Sequence, residues 1–346
     1  MKLKICILFI FLTINQLTKA QPDLSVKFSS FNYKSSNCNS FIYHTGSIIV
    51  IPEDAFMTEA SVACEGDIII NYREIHHPSQ MIGNNLNMFT FDAKGKKQLL
   101  ESSGMFEIEA ICKSSNKSLK LKKGKKIDVF FKTFNPIPDV VLWQFSNKSK
   151  SWIRKKQSIT DLASNKLAND ATEWGGERIP VQIEGGSDNF DGEMIYMTPE
   201  EYKKYLADQR ERVRRDSLER EIFKAIQIDE MGLYNCDRII EEESIPLIAG
   251  FSVPGGAEIN KIYVVYRQLN TVIYYSLSND MPFQLLKTNN IEIIAIDQNS
   301  NLYQVPENQL KLSYLNSNSG KKITFELMNK GLVQTHQQLA LKTGIK

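Results

Sequence analysis

The chain has 346 residues, with 42 Lys plus Arg against 40 Asp plus Glu and a formal net charge of +2. A balance this even supplies no global electrostatic reason to bind nucleic acid, and the length fits two domains. Residues 1–20 read as an export signal. Lys2 and Lys4 form a basic start, residues 5–12 an uncharged apolar core, and Thr18-Lys19-Ala20 a small-residue cleavage site. The apolar run is shorter than the roughly 20 residues that span a bilayer, so no transmembrane segment is expected after signal removal. Cys6 opens the apolar core and is not placed for lipid attachment. Loss of Lys2, Lys4 and Lys19, with no acid among residues 1–20, moves the charge from +2 to −1.

Residues 22–157 form the first predicted domain. Its strand candidates are 40–43, 47–51, 68–73, 88–92, 105–112, 126–131, 140–145 and 151–155. Asp92-Ala93-Lys94-Gly95 and Lys122-Lys123-Gly124-Lys125 supply turns between them. Many short β-branched runs with regular punctuation and no helical period predict a sandwich or barrel. Ile68-Ile69-Ile70 is apolar on both faces, which predicts a central strand covered on both sides.

The phrase Gly46-Ser47-Ile48-Ile49-Val50-Ile51-Pro52-Glu53-Asp54-Ala55-Phe56 resembles the start of ZU-type domains, the β-sandwich modules of ankyrins and netrin receptors. Through Gly104-Met105-Phe106-Glu107-Ile108, and later Gly232-Leu233-Tyr234-Asn235-Cys236-Asp237 and Ile294-Ala295-Ile296-Asp297, the chain resembles exported envelope proteins of Bacteroidota-type bacteria. Those proteins carry a divergent copy of the module. The resemblance implies architecture and address: an exported envelope protein, in the periplasm, on the outer membrane or secreted. Some ZU-type domains cleave themselves at His-Phe-Ser. The nearest match here is Gln144-Phe145-Ser146, where glutamine cannot take and return a proton near neutral pH.

Residues 158–197 turn polar, with Gly175-Gly176, Gly185-Gly186 and Asp191-Gly192 as breakers, and predict an irregular linker. A helix is predicted over 198–228, capped by Thr198 with Pro199 and Glu201 in its first turn. Its middle holds Arg210, Glu211, Arg212, Arg214, Arg215 and Asp216 around Val213, the pattern of a solvated strut. Tyr202, Leu206, Gln209 and Val213 offer the alternative of a partner-docking seam. A second strand-rich domain follows over 229–330, with candidates 245–253, 261–268, 272–277, 291–297, 310–314 and 322–327. Residues 331–346 read as a frayed tail. The fold class expected is therefore mainly β: two β-sandwich-like domains joined by an irregular linker and one long charged α-helix.

No nucleophile elbow, phosphate loop or His-Glu-x-x-His helix occurs, so no enzyme and no cofactor are expected. Ser114 and Lys117 fit Ser-x-x-Lys but fall in a hairpin. His76 and His77 with Glu74 are the most metal-like cluster; no metal is expected, the two histidines reading as a surface turn at Pro78, and Glu74 and His77 are the candidates if one is held. Cys38, Cys64, Cys112 and Cys236 have no zinc-site spacing and permit three pairings; one bridge within the first domain is expected, with buried free thiols otherwise. Cys112 follows Phe106, Ile108 and Ala110 at period two and should point into a core. Trp143, Trp152 and Trp174 are the candidate glycan or partner contacts, weighed against core packing. Tyr263, Tyr266, Tyr274 and Tyr275 fit cross-strand packing. The lysine-rich stretches 113–126 and 148–156 read as solvated hairpin tips, with an anionic glycan or headgroup patch as the alternative. The expected role is a non-catalytic exported interaction or scaffold protein that binds a protein partner in the envelope. The alternative is a glycan-binding or glycan-active protein, and the lesser alternative a self-cleaving domain.

Overall fold

Period-two alternation of apolar residues sorts most of this chain into strands, each sending alternate side chains to opposite sides. The computed structural model describes residues 23–163, 179–182, 194–197, 222–278, 281–288 and 290–345. The first strands are β1 (Ser29–Tyr33), β2 (Asn39–Ile42), β3 (Ile48–Ile51), β4 (Phe56–Thr58) and β5 (Ile68–Ile75). After the short helix α1 (Pro78–Gly83) come β6 (Phe89–Phe91), β7 (Lys97–Cys112), β8 (Lys117–Leu121) and β9 (Ile127–Thr133). Next are β10 (Val141–Ser146), β11 (Ser151–Arg154), β12 (Ile159–Ala163), β13 (Ile179–Gln182), β14 (Met194–Met197), β15 (Ile222–Ile228) and β16 (Gly232–Ile239). The remaining elements start with β17 (Ser244–Ser252), β18 (Lys261–Tyr266), β19 (Thr271–Ser276), β20 (Met281–Leu286), β21 (Ile291–Ile296) and β22 (Asn301–Gln304). They end with α2 (Leu312–Ser317), β23 (Lys322–Glu326), β24 (Met328–Leu332) and α3 (His336–Thr343).

Four sheets stack face to face. The outermost, in the order β12-β15-β9-β3-β2, packs on a nine-stranded sheet whose main path is β1-β5-β7-β16-β10-β11. Between them lie Phe31, Phe41, Ile49, Ile70, Tyr72, Phe106, Ile108, Val129, Phe131, Tyr234 and Cys236. A second sandwich pairs the sheet β19-β18-β21-β22-β24 with β20-β17-β23 around Leu247, Val264, Tyr266, Phe283, Ile293 and Phe325. The two sandwiches meet through a third apolar core. Met105, Trp143, Trp152 and Leu233 from the nine-stranded sheet meet Tyr263, Val265, Ile294 and Leu302 there, sealed by Met81 and Ile82 of α1 and Leu339 of α3. Both inner sheets thus bury side chains on both faces, and the chain is mainly β.

Several expectations need correction. The 158–197 linker is not irregular where it is described: β12 joins the outer sheet, and β13 and β14 pair antiparallel. The predicted helix ends badly, because 222–228 is β15, placed between β12 and β9. Ile226 and Ile228 flank exposed Gln227 at period two and enter the first core, which a helix could not arrange. Residues 198–221, including Thr198 and the arginine-rich stretch, lie outside the described residues, as do residues 1–20, for which an export signal is expected. Strand β16, expected to open the second domain, instead lies between β7 and β10 in the first. Residues 310–314 are not a strand: Lys311 caps α2 and residues 312–314 are its first turn. The tail is structured too: Val333, Leu339 and Ile345 are buried in the third core. Finally, Ile69 is only half-buried, because β5 is next to the edge strand β1 and this end of its outer face is open.

Burial of Leu339 at the junction of α1, α3 and both sandwiches yields the first prediction. Leu339→Ala should destabilise the protein by about 2–4 kcal/mol, the usual range for a truncated core leucine. Denaturant titration measures it; a change within ~0.5 kcal/mol would show that the third core contributes little.

Candidate functional site

Polar side chains buried on both sides of the third core mark the region with the most chemistry. Along β5 and just beyond, Tyr72, Glu74 and His76 recur at period two and share one face. Glu74 is buried, and its Oε2 accepts from the Thr45 hydroxyl at 2.7 Å. The same oxygen lies 2.7 Å from His76 Nε2. Oε1 accepts from the Tyr72 hydroxyl at 2.9 Å. Burial, reinforced by the Glu74 charge, holds the Tyr72 phenol well above its ordinary value. The His76 ring stacks on Phe131 at 5.2 Å and meets Phe134 edge-on at 4.8 Å.

His76 Nδ1 makes no hydrogen bond. Gly104 explains this. A Cβ built there would fall 3.1 Å from Nδ1 and 2.8 Å from Phe131 Cζ, and Gly104 has a φ of +128°, which L side chains rarely adopt. The glycine lets β7 close over the imidazole. With Nε2 toward the carboxylate, Nδ1 is left against a backbone methylene. The arrangement is a carboxylate–imidazole pair without a nucleophile: its nearest hydroxyls, Thr45 and Tyr72, both donate to Glu74.

This corrects the metal candidates. Glu74 meets His76 and not His77, because residues two apart share a strand face. His77 is exposed and starts α1, where its amide donates to Gln80 Oε1 at 3.2 Å. Among the described residues no group of three or more His, Cys, Asp and Glu side chains is placed to hold a metal ion.

A cleft of about 280 Å³ opens beside the pair, lined by His76, His77, Phe134, Asn135, Arg267 and Asn270. Its back wall joins the sandwiches. The Asn270 side-chain amide donates to the carbonyls of His76 and Ser102, both at 2.9 Å. Arg267 donates to Glu292 Oε1 at 2.6 Å and to the Thr343 carbonyl at 2.5 Å. Across the junction, Asp237 is fully buried, accepts from the Asn235 amide, and leaves Oδ1 without a partner. Burial pushes its carboxyl well above the ordinary carboxylate range, the Glu101 charge adds to this, and bonds from Ser102 and Asn235 oppose it.

The other candidates are dispersed. Trp143 and Trp152 are core members, with indole N–H groups donating to the Asp237 and Asn87 carbonyls at 3.1 Å each. Neither presents a ring face for a sugar, and Trp174 lies outside the described residues. Cys64 and Cys112 form a disulfide with Cα atoms 5.7 Å apart; Cys38 is exposed and Cys236 is buried in the first core. Gln144, Phe145 and Ser146 occupy regular β10 positions, and the Gln144 amide donates to the Met231 carbonyl and Tyr234 hydroxyl at 3.3 Å each. Ser114 donates to the Glu65 carbonyl at 2.6 Å, which occupies it in a turn. Four of the twelve basic residues in the two stretches face a carboxylate among the described residues: Lys113 pairs with Asp67, Lys120 with Glu59, Lys122 with Asp54 and Lys155 with Glu230.

Asn270 and Asp237 escaped the sequence reading. The signal for Asp237 was a polar pair, Asn235 and Asp237, in register with Leu233 and Ile239 on one strand face. Asn270 was read as an ordinary hairpin residue.

No family model matches the chain, and no curated protein matches it. Among solved structures it is compared with a non-hemolytic pneumolysin from Streptococcus pneumoniae strain ST306, at 8% identity and a TM-score of 0.11. That alignment covers 89% of this chain and 80% of the other. The cytotoxin suilysin from Streptococcus suis aligns at 10% identity and a TM-score of 0.10, covering 90% and 76%. Similarity at this level carries no argument about fold or function.

Two predictions follow from the geometry. Gly104→Ala should destabilise by more than about 1 kcal/mol, combining a left-handed backbone with a collision on Phe131. A melting temperature equal to the parent's would disprove the close approach. Asp237 holds a proton in the folded state at pH values where the unfolded carboxyl, near 3.8, has lost it. Its stabilising contribution is therefore complete below that value and is lost as pH rises through the folded value. Asp237→Asn should gain stability relative to the parent as pH rises above the unfolded value in denaturant titrations; a pH-independent difference would refute the assignment.

Proposed function

We propose that this chain is an exported, non-catalytic protein of the cell envelope that holds a protein partner on the surfaces of a two-sandwich body. The observation that carries the reading is the third core. It joins the sandwiches face to face, as suits a body that presents surfaces at fixed separation. The buried carboxylate–imidazole pair, committed to internal hydrogen bonds, favours the same reading over catalysis. A disulfide between Cys64 and Cys112 suits an oxidising compartment and so supports export. The resemblance to ZU-type envelope proteins points the same way. Strand addition at a free sheet edge is one route by which such a partner would bind.

Cross-linking in the native envelope, followed by reconstitution with the purified partner, tests the proposal. Saturable binding by the intact protein is the expected outcome. A hydrolytic activity of the purified protein that one substitution abolishes would refute it. The glycan alternative is weakened by the burial of Trp143 and Trp152. Self-processing at Phe145-Ser146 is checked by denaturing electrophoresis, where one intact band is expected and two fragments split at that bond would favour cleavage.

A further inference from the structure

The hairpin between β6 and β7 concentrates charge that the fold does not neutralise. Lys94, Lys96 and Lys97 follow Phe91 within six residues. The one acid in the turn, Asp92, uses its Oδ1 to accept from the backbone amides of Lys94 and Lys96, each at 2.8 Å. Lys97 Nζ stands 4.3 Å from the centre of the Phe89 ring and 5.3 Å from that of Tyr275. Nearby, Lys261 Nζ lies 4.7 Å from the Tyr274 ring and donates to Asn85 Oδ1 at 2.6 Å. None of these four lysines joins an ion pair among the described residues, whereas Lys113, Lys120, Lys122 and Lys155 each face a carboxylate.

Apolar surface accompanies the charge. Phe91 is 51% exposed. The Thr90 hydroxyl donates to the Trp152 carbonyl at 2.8 Å, which sets β6 beside Ile153, itself 52% exposed. A sugar would need a flat, vacant ring face. Phe89 and Phe91 are instead at 81° to one another, and ammonium groups already stand over Phe89 and Tyr274. What remains available is the half-exposed Phe91 side chain on a hairpin that also carries Lys94, Lys96 and Lys97, the chemistry of a contact with an anionic bilayer surface.

We propose that the Phe89–Lys97 hairpin docks this protein on an anionic lipid bilayer, with Phe91 entering the headgroup boundary and Lys94, Lys96 and Lys97 meeting lipid phosphates. The inference is independent of the protein-partner reading.

Vesicle sedimentation of the purified full chain tests it, with phosphatidylcholine alone and phosphatidylcholine mixed with phosphatidylglycerol as probes. Binding should require phosphatidylglycerol and weaken with salt. The combined variant Lys94→Gln, Lys96→Gln, Lys97→Gln should lower partitioning at least about tenfold, and Phe91→Ser should lower it by a factor that persists at high salt. A control variant with Lys122→Gln, Lys123→Gln and Lys125→Gln should bind as the parent does. Equal sedimentation with neutral vesicles, no sedimentation with either, an equal loss in the control, or capture by an acidic polysaccharide without vesicle binding would each overturn the proposal. Matching melting temperatures keep the variants comparable.

Discussion

Strand β18 shows the constraint on which the architecture rests. Its six residues send Ile262, Val264 and Tyr266 into the second sandwich and Tyr263 and Val265 into the junction. A sheet apolar on both faces needs cover on both faces, since each exposed large side chain forfeits about 1.5–3 kcal/mol of burial. The nine-stranded sheet meets the same demand with Leu142 facing one way and Trp143 the other. Interfaces between domains of one chain are usually polar and permit relative motion. An interface built on a shared apolar core, closed by a helix from each half, fixes the sandwiches together.

Polar groups inside that junction set its register. Apolar contact alone tolerates sliding, whereas a buried amide that loses its acceptors incurs about 1–3 kcal/mol. Asn270 spends its side-chain amide on two carbonyls of the opposite sandwich, so a shift of a few ångströms would strand both. Glu74 and His76 act within the first sandwich in the same spirit, tying β5 to the loop before β3 through Thr45. The combination explains why the most catalytic-looking residues belong to a region with so little room for substrate.

Much of the architecture was legible locally. Runs such as 47–51, 105–112, 126–131 and 261–268 carry β-branched alternation between turn residues, and they are strands except at their ends, where Arg267 and Gln268 already turn. The period-two placement of Cys112 after Phe106, Ile108 and Ala110 also holds, since all four enter one core. What failed was non-local. Nothing in Gly232–Ile239 announces that it pairs with β7 and β10, residues about a hundred positions earlier; only tertiary pairing decides that. The polar stretch after 157 hid β12, because Ile159 and Leu162 are too few to stand out among serines and asparagines. At the site, Glu74 was noticed but given the wrong histidine, since a turn at Pro78 was weighed above the strand period that governs Glu74 and His76. The tryptophans shared one segment of sequence, yet sequence does not show which ring faces inward.

The placement of β15 and β16 has a consequence for biosynthesis. Each sits between two earlier strands: β15 joins β12 to β9, and β16 joins β10 to β7. As the polypeptide emerges amino end first, the outer layer of the leading sandwich cannot be completed until residue 228 is available, nor the nine-stranded layer until residue 239. Residues 164–221 have been made by then. Such distant pairing raises contact order and slows folding, and it leaves strand edges open in the interval. Nascent lengths ending before Gly232 are therefore the ones with most reason to meet a chaperone.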